Sequence, residues 1–284
     1  MYKYRKIAFI GAGNMAEAMI GAILRAGLRR PEDIVISDAS AERIDQVAAS
    51  YGVTPASSNS DAVDICDIVI LAVKPQVIES VLSGLADSGS FKSPPRRRIF
   101  ISVAAGVLIR TLERFIYSGR SPEEKAAMPI IRVMPNTPAL VGAGMSGMCA
   151  NEQAVKSDLE EAESLLSSMG EVIVFSEDKM DAVTAVSGSG PAYGFYLLEA
   201  MTEAGQKLGL APTEASKLAL EAISGAILLV RESGQEPRAL RSKVTSPGGT
   251  TEAALTLLES HQVKGRIVDA VLAAAKRSEE LSRP

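Results

Sequence analysis

The segment that most constrains this chain is Ile7-Ala-Phe-Ile-Gly-Ala-Gly-Asn-Met-Ala16. Ile7 to Ile10 form an unbroken apolar run, which predicts a strand buried on both faces. Gly11 to Ala16 follow at once as G-x-G-x-x-A and open a helical pattern from Met15 to Ala26, closed by Gly27. Strand, glycine turn and helix in this order form a dinucleotide-binding fingerprint. Gly11 permits the tight turn, Gly13 lets a pyrophosphate approach the backbone, and Ala16 lets the helix pack close to the sheet. Ala12, Asn14 and Met15 complete the turn, where unpaired N–H groups and partial positive charge favour phosphate. A glycine turn without a ligand is the simpler alternative, and the complete strand–turn–helix context argues against it.

The pattern repeats downstream. Ile34–Ser37, Ile68–Val73 and Ile99–Val103 predict further buried strands, Ala41–Tyr51 a second helix, and Ile131–Met134 and Val172–Phe175 later strands. Continuous apolar strands separated by helices predict a parallel, doubly wound α/β Rossmann-type sheet. After about Ser176 the strand signals stop, and helices are predicted from Pro191 to Leu208, from an N-cap at Thr213 to Glu232, and from Arg266 to Leu281. The expected organisation is a dinucleotide-binding domain over 1–177 and an all-α helical domain over 178–284. Asp87–Arg98 and Tyr117–Pro129 are expected as polar loops, with Pro94–Arg98 a solvated turn.

The helix expected over 213–232 carries Ala219, Ala222, Ile223, Ala226, Ile227 and Val230 on one stripe, and Leu218, Leu220, Leu228 and Leu229 around much of the rest. A helix apolar nearly all round is buried nearly all round. A small helical domain has few internal faces to do this, so a subunit interface is expected. The alternative is the centre of its own bundle.

Composition removes several functions. Lys plus Arg number 30 against 34 Asp plus Glu, a net charge of −4, which gives no basic footprint for nucleic acid or an anionic membrane. The apolar run Leu218–Val230 is too short to span a bilayer, which needs about 20 residues. Two cysteines and one histidine, His261, are too few for a disulfide framework, a zinc cage or a His-rich metal site. No metal and no signal segment are expected, and a reducing, cytoplasmic setting is.

Strand ends mark the remaining cofactor candidates, because ligands of open α/β sheets bind outside the carboxyl ends of the strands. Asp38 ends the second strand, where an acidic residue accepts from both ribose hydroxyls and favours NAD. Ser37, Ser40 and Arg43 lie beside it and offer an alternative: holding the 2′-phosphate of NADP if Asp38 turns away. Ala72-Val73-Lys74-Pro75 and Ala104-Ala105-Gly106 end the third and fourth strands, where small residues let a nicotinamide ribose lie against backbone.

Three further stretches stand out: Met134-Pro-Asn-Thr-Pro138, Ser187-Gly-Ser-Gly-Pro-Ala-Tyr193 and Thr245-Ser-Pro-Gly-Gly-Thr-Thr251. The last places four hydroxyls and two glycines ahead of a helix. The backbone of Gly248, Gly249, Thr250 and Thr251 there makes an anion cradle. Helix capping alone needs a single Ser or Thr.

These motifs, with Phe9–Gly13, Ala72–Pro75 and Ala104–Val107, resemble those of the pyrroline-5-carboxylate reductase family through nearly the whole chain. The resemblance implies a helical domain that interlocks with a second copy into a homodimer, often assembled into decamers. It implies NAD(P)H-dependent reduction of 1-pyrroline-5-carboxylate to L-proline, with NADPH favoured and NADH the alternative. It assigns Ser187, Ser246, Gly248, Gly249, Thr250 and Thr251 to the substrate, with the Thr251 hydroxyl beside the ring nitrogen, and Asn59 to the cofactor. The chain departs from the family's frequent Lys-Asp pair with Arg241-Ser242.

The chemistry suits a chain with one histidine. A protonated cyclic imine is already electrophilic, so position matters more than acid strength. β-Hydroxyacid dehydrogenases share the two-domain plan but use a Lys on the first helix of the second domain, and Pro191–Glu199 contains none. A non-catalytic dinucleotide sensor would need no hydroxyl-rich loop at Thr245–Thr251.

Overall fold

The computed structural model describes residues 5–89 and 97–282. Eight strands form one sheet: β1 (Ile7–Ile10), β2 (Ile34–Ser37), β3 (Thr54–Pro55), β4 (Ile68–Leu71), β5 (Ile99–Ser102), β6 (Ile130–Met134), β7 (Gly144–Ala150) and β8 (Gly170–Val174). Their order is β3-β2-β1-β4-β5-β6-β7-β8. The first six are parallel, as in a dinucleotide-binding fold, and the order reverses between β1 and β4. The helices are α1 (Asn14–Arg25), α2 (Ala41–Tyr51), α3 (Asn59–Ile65), α4 (Ile78–Ser88), α5 (Ile109–Ile116), α6 (Pro122–Ala126), α7 (Lys156–Ser167), α8 (Met180–Val183), α9 (Gly190–Lys207), α10 (Pro212–Ser233), α11 (Pro237–Lys243), α12 (Thr250–Ser260) and α13 (Val263–Ser282).

The apolar strands are explained by burial on both sides. Ile7 and Phe9 of β1 pack into one cluster with Met19, Ile20 and Ile23 of α1 and Leu165 and Leu166 of α7. Ala8 and Ile10 face the other way, into a cluster with Val63, Leu82, Leu112 and Ile116 from α3, α4 and α5. Period-two alternation thus divides one strand between two cores.

Two strands escape the sequence expectation. β3 is only two residues long. β7 reads Gly-Met-Ser-Gly-Met-Cys-Ala, a composition poor in strand formers, and runs antiparallel to β6. Crowding explains its small residues: a Cβ on Gly147 would lie 2.6 Å from Val183 Cγ1, and one on Gly144 2.8 Å from Met169 O. The cap of α10 lies two residues before the expected one. Ala211 is its N-cap and Pro212 its first residue, because proline presets the helical φ at that position. The expected loop Tyr117–Pro129 contains α6, where Ser121 and Glu124 form a capping box. Residues 94–96 of the expected solvated turn lie outside the described residues. Arg98, at its end, is buried and donates to Cys66 O at 3.2 Å.

The chain divides into two compact units, one comprising the residues up to Gly188 with the chain's end from Ala275, the other Ser189–Ala274. The second unit buries little of its apolar surface within one chain. In α10 only Ala215 and Ala219 are buried, while Leu218, Ile227 and Leu228 are each more than half exposed.

An ion pair ties α7 to the segment between α1 and β2. Arg29 donates to Arg5 O at 2.8 Å and pairs with Glu161 of α7, both side chains being buried. Arg29→Met leaves the Glu161 charge buried without its partner, at a cost of about 3–5 kcal/mol. Chemical denaturation measures this as a lowered midpoint; an unchanged midpoint would show that the pair holds nothing.

Candidate functional site

The turn after β1 is shaped by what it touches. Gly11 has φ +99°, and a Cβ there would lie 2.7 Å from the Ala72 carbonyl oxygen at the end of β4. Only glycine fits, on conformation and on space. The Gly11 N–H donates to Ser37 O at 2.7 Å, so the turn is sewn to the ends of both neighbouring strands. Gly13 is the N-cap of α1, carries no side-chain cap, and has nothing within 4 Å of where a Cβ would stand. The open space over Gly13 and the unpaired first N–H groups of α1 fit a dinucleotide diphosphate. Ala16 is fully buried against the sheet.

The other cofactor candidates gather at the same edge. At the end of β2, Ser37 Oγ donates to Asn59 Oδ1 at 2.7 Å, joining β2 to the start of α3. Asp38 turns to the backbone: Oδ2 accepts from Ala12 N at 2.7 Å and Oδ1 from Ser40 N at 2.9 Å. Arg43 donates through Nε to Ala12 O at 2.6 Å and pairs with Glu17. Ala72 N donates to Ile10 O at 2.8 Å, and Val73 and exposed Lys74 lead into the short turn that starts at Pro75. Ala104, Ala105 and Gly106 follow β5. A cavity of about 690 Å³ there is lined by Pro75, Gln76, Ala105, Gly106, Arg110 and Leu281.

The sequence singles out the Met134–Pro138 stretch but assigns no role to Asn136. Its side chain accepts from Met145 N at 2.9 Å and donates to Ser187 O at 3.3 Å. It thereby couples the Met134–Pro138 turn to a single π-helical turn, Thr184–Gly188, that holds Ser187. Such turns are frequent at functional sites. The proline-flanked position of Asn136 was the available signal.

In the second unit, Gly249 is the N-cap of α12, and Thr250 and Thr251 are its first two residues. Gly248 has φ +70°. The Gly248 N–H donates to Glu252 Oε2 at 2.7 Å and the Gly249 N–H to Ser246 O at 3.0 Å. The helix start therefore leaves the N–H groups of Thr250 and Thr251, with the neighbouring hydroxyls, for an anion. Glu252, three residues after the cap, has the spacing of a capping box, which sequence reading did not use. His261 ends α12 on the surface. Among the described residues no cluster of His, Cys, Asp and Glu could hold a metal ion, and no helix is long and apolar enough to cross a membrane.

Known proteins match this arrangement over its whole length. The family profile "Pyrroline-5-carboxylate reductase dimerisation" matches residues 177–281, and "NADP oxidoreductase coenzyme F420-dependent" matches residues 6–106. The pyrroline-5-carboxylate reductase of Corynebacterium melassecola is 40% identical over 277 residues, covering 98% of each chain. This chain belongs to the pyrroline-5-carboxylate reductase family. The solved reductase of Coxiella burnetii superposes with a TM-score of 0.87 at 37% identity, over 99% of this chain and 100% of that one. The pyrroline carboxylate reductase of Plasmodium falciparum, solved with NADP bound, gives 0.86 at 30% identity over 100% of both. The reductase fold and a nicotinamide-nucleotide cofactor thus apply to this chain.

Gly11→Ala tests the turn. The added Cβ meets the Ala72 carbonyl in a left-handed conformation, costing roughly 1–3 kcal/mol of stability. Calorimetric titration should show weaker binding of NADPH. Binding at the parent's affinity would place the cofactor elsewhere.

Proposed function

We infer that this chain reduces 1-pyrroline-5-carboxylate to L-proline with a reduced nicotinamide nucleotide, the last step of proline synthesis, in the cytoplasm. One observation carries the reading: a complete phosphate-binding turn at Gly11–Ala16 and a hydroxyl-rich helix start at Ser246–Thr251 occur in a single chain that matches such reductases end to end.

The bound nicotinamide supplies the hydride. Gly13, Asn14 and Met15 would hold the diphosphate through their N–H groups, on the turn that Gly11 and Ala12 build beneath it. Ser37, Asp38 and Asn59 face the adenosine end, and Ala72–Pro75 and Ala104–Gly106 face the nicotinamide end. The N–H groups of Thr250 and Thr251 hold the substrate carboxylate at the start of α12, where the helix dipole favours negative charge, and Ser246, Gly248 and Gly249 form the turn that presents them. Ser187 belongs to the same substrate set, steadied by Asn136. The Thr251 hydroxyl hydrogen-bonds the ring nitrogen and orients the C=N bond. A threonine hydroxyl is a poor acid near neutral pH, so the substrate enters as the iminium with its proton already on nitrogen.

NADPH is the preferred donor. Ser37, Ser40 and Asn59 gather hydroxyl and amide groups where a 2′-phosphate would lie. Both Asp38 oxygens already accept backbone N–H groups, which offsets the charge that would oppose that phosphate. The exposed apolar faces of α10 are covered by a second copy of the chain.

Three measurements check the reading. Absorbance at 340 nm should fall when the protein meets pyrroline-5-carboxylate and a reduced nicotinamide, with kcat/KM higher for NADPH than for NADH; a flat trace with both would leave a binding protein without this activity. Thr251→Ala removes one hydrogen bond to a charged group and should lower kcat roughly 10–100-fold with cofactor affinity kept. Unchanged turnover would take Thr251 out of the mechanism. Light scattering should give the parent a mass of at least two chains, separating dimer from decamer, and Ile227→Glu should lower it. A parent that elutes as a single chain would remove the α10 interface.

A further inference from the structure

Ala12 is held from both sides by the next strand–helix unit. The residue is fully buried. Its N–H donates to Asp38 Oδ2 at 2.7 Å, and its carbonyl accepts from Arg43 Nε at 2.6 Å. The other two nitrogens of Arg43 face α1 and its own helix: Nη2 pairs with Glu17 of α1, and Nη1 reaches Gln46 Oε1 at 3.4 Å. Glu17 in turn accepts from the Tyr51 hydroxyl at 3.4 Å.

A buried peptide group without a partner costs about 1–3 kcal/mol. Here the ladder cannot supply one: the flanking Ile10 carbonyl and Gly11 N–H are already bonded to Ala72 and Ser37. Asp38 and Arg43 do so instead. The geometry has a direct consequence for the ligand. The Ala12 carbonyl shares its rigid peptide plane with the Gly13 N–H. By fixing that carbonyl, Arg43 also fixes the direction of the Gly13 N–H. Asp38 does the same for the preceding plane.

We propose that Asp38 and Arg43 are positioning residues that aim the phosphate-binding turn at the diphosphate shared by NADH and NADPH, and do not discriminate between the two. Turning Nε toward a 2′-phosphate would cost Arg43 its bond to the Ala12 carbonyl and leave that carbonyl buried without a donor. Discrimination then falls to groups outside this pair. The inference rests on the crevice being a nicotinamide-dinucleotide site; its test uses fragments and exchange rates, so that failure of imine reduction leaves it standing.

The full-length protein is titrated calorimetrically with ADP-ribose and 2′-phospho-ADP-ribose, as parent, Arg43→Met, Arg43→Lys and Asp38→Asn. Amide hydrogen exchange of the peptide spanning 7–19 is followed in parallel without ligand. Both probes should weaken by a common factor of about ten in Arg43→Met and in Asp38→Asn, equivalent to roughly 1.4 kcal/mol. Exchange of that peptide should quicken. Arg43→Lys should recover part of the loss, since its Nζ can still donate to the Ala12 carbonyl. Selective loss of the 2′-phosphorylated probe in Arg43→Met would overturn the proposal by making Arg43 a phosphate reader. Selective gain of that probe in Asp38→Asn would overturn it by making Asp38 a ribose reader. Unchanged exchange in both variants would also overturn it. Should Arg43→Met not fold, Arg43→Lys and Asp38→Asn carry the comparison. If the parent binds neither probe, the dinucleotide reading fails and exchange alone decides the clamp.

Discussion

The first unit is organised around one close approach. The backbone of Gly11 lies against the peptide of Ala72 with no room for a side chain between them. β1 and β4 are the two strands at which the sheet order reverses, so their ends diverge and open a crevice. The contact fixes where the glycine turn leaves the sheet and hence where the N-terminus of α1 points. Ser37, Asn59, Ala72–Pro75 and Ala104–Gly106 reach the same edge because parallel strands place every carboxyl end on one side. A single tight turn thereby sets the position of the distributed set of residues proposed to contact the cofactor.

The chemistry follows from what the chain lacks as well as what it has. Its one histidine sits on the surface, and Glu252, the acidic residue in the first turn of the helix that Thr250 and Thr251 open, is bound to the Gly248 N–H. This is a poor arrangement for delivering a proton and a good one for holding a small anion still. A substrate that carries its own proton on nitrogen asks for that and little more.

Much of the fold was legible because β1, β2, β4 and β5 are buried on both faces and must be apolar at every position. The turn was legible because Gly11 and Gly13 each answer a steric demand. β7 was not, because crowding by Val183, Ala139 and Met169 selects small residues there, and small residues look like a loop in sequence. The start of α10 was misplaced by two residues because Thr213 is a stronger capping residue than Ala211, while Pro212 decided the matter. Within the candidate site, residue types pointed to Asp38 and Arg43, but what they touch depends on the orientation of the Ala12 peptide, which no local pattern encodes. Asn136 escaped for the same reason: its partners, Met145 and Ser187, are brought to it by the fold.

The apolar surface of α10 bears on how this protein survives. Leu218, Ile227 and Leu228 stand open to water in the single chain, and the second unit has almost no interior to offset the entropy of ordering its helices. For such a segment, folding and association draw on one free energy, and mass action links them. With a second copy covering α10, as proposed, the melting temperature of this protein rises with its own concentration, and dilution acts on it as a denaturant would.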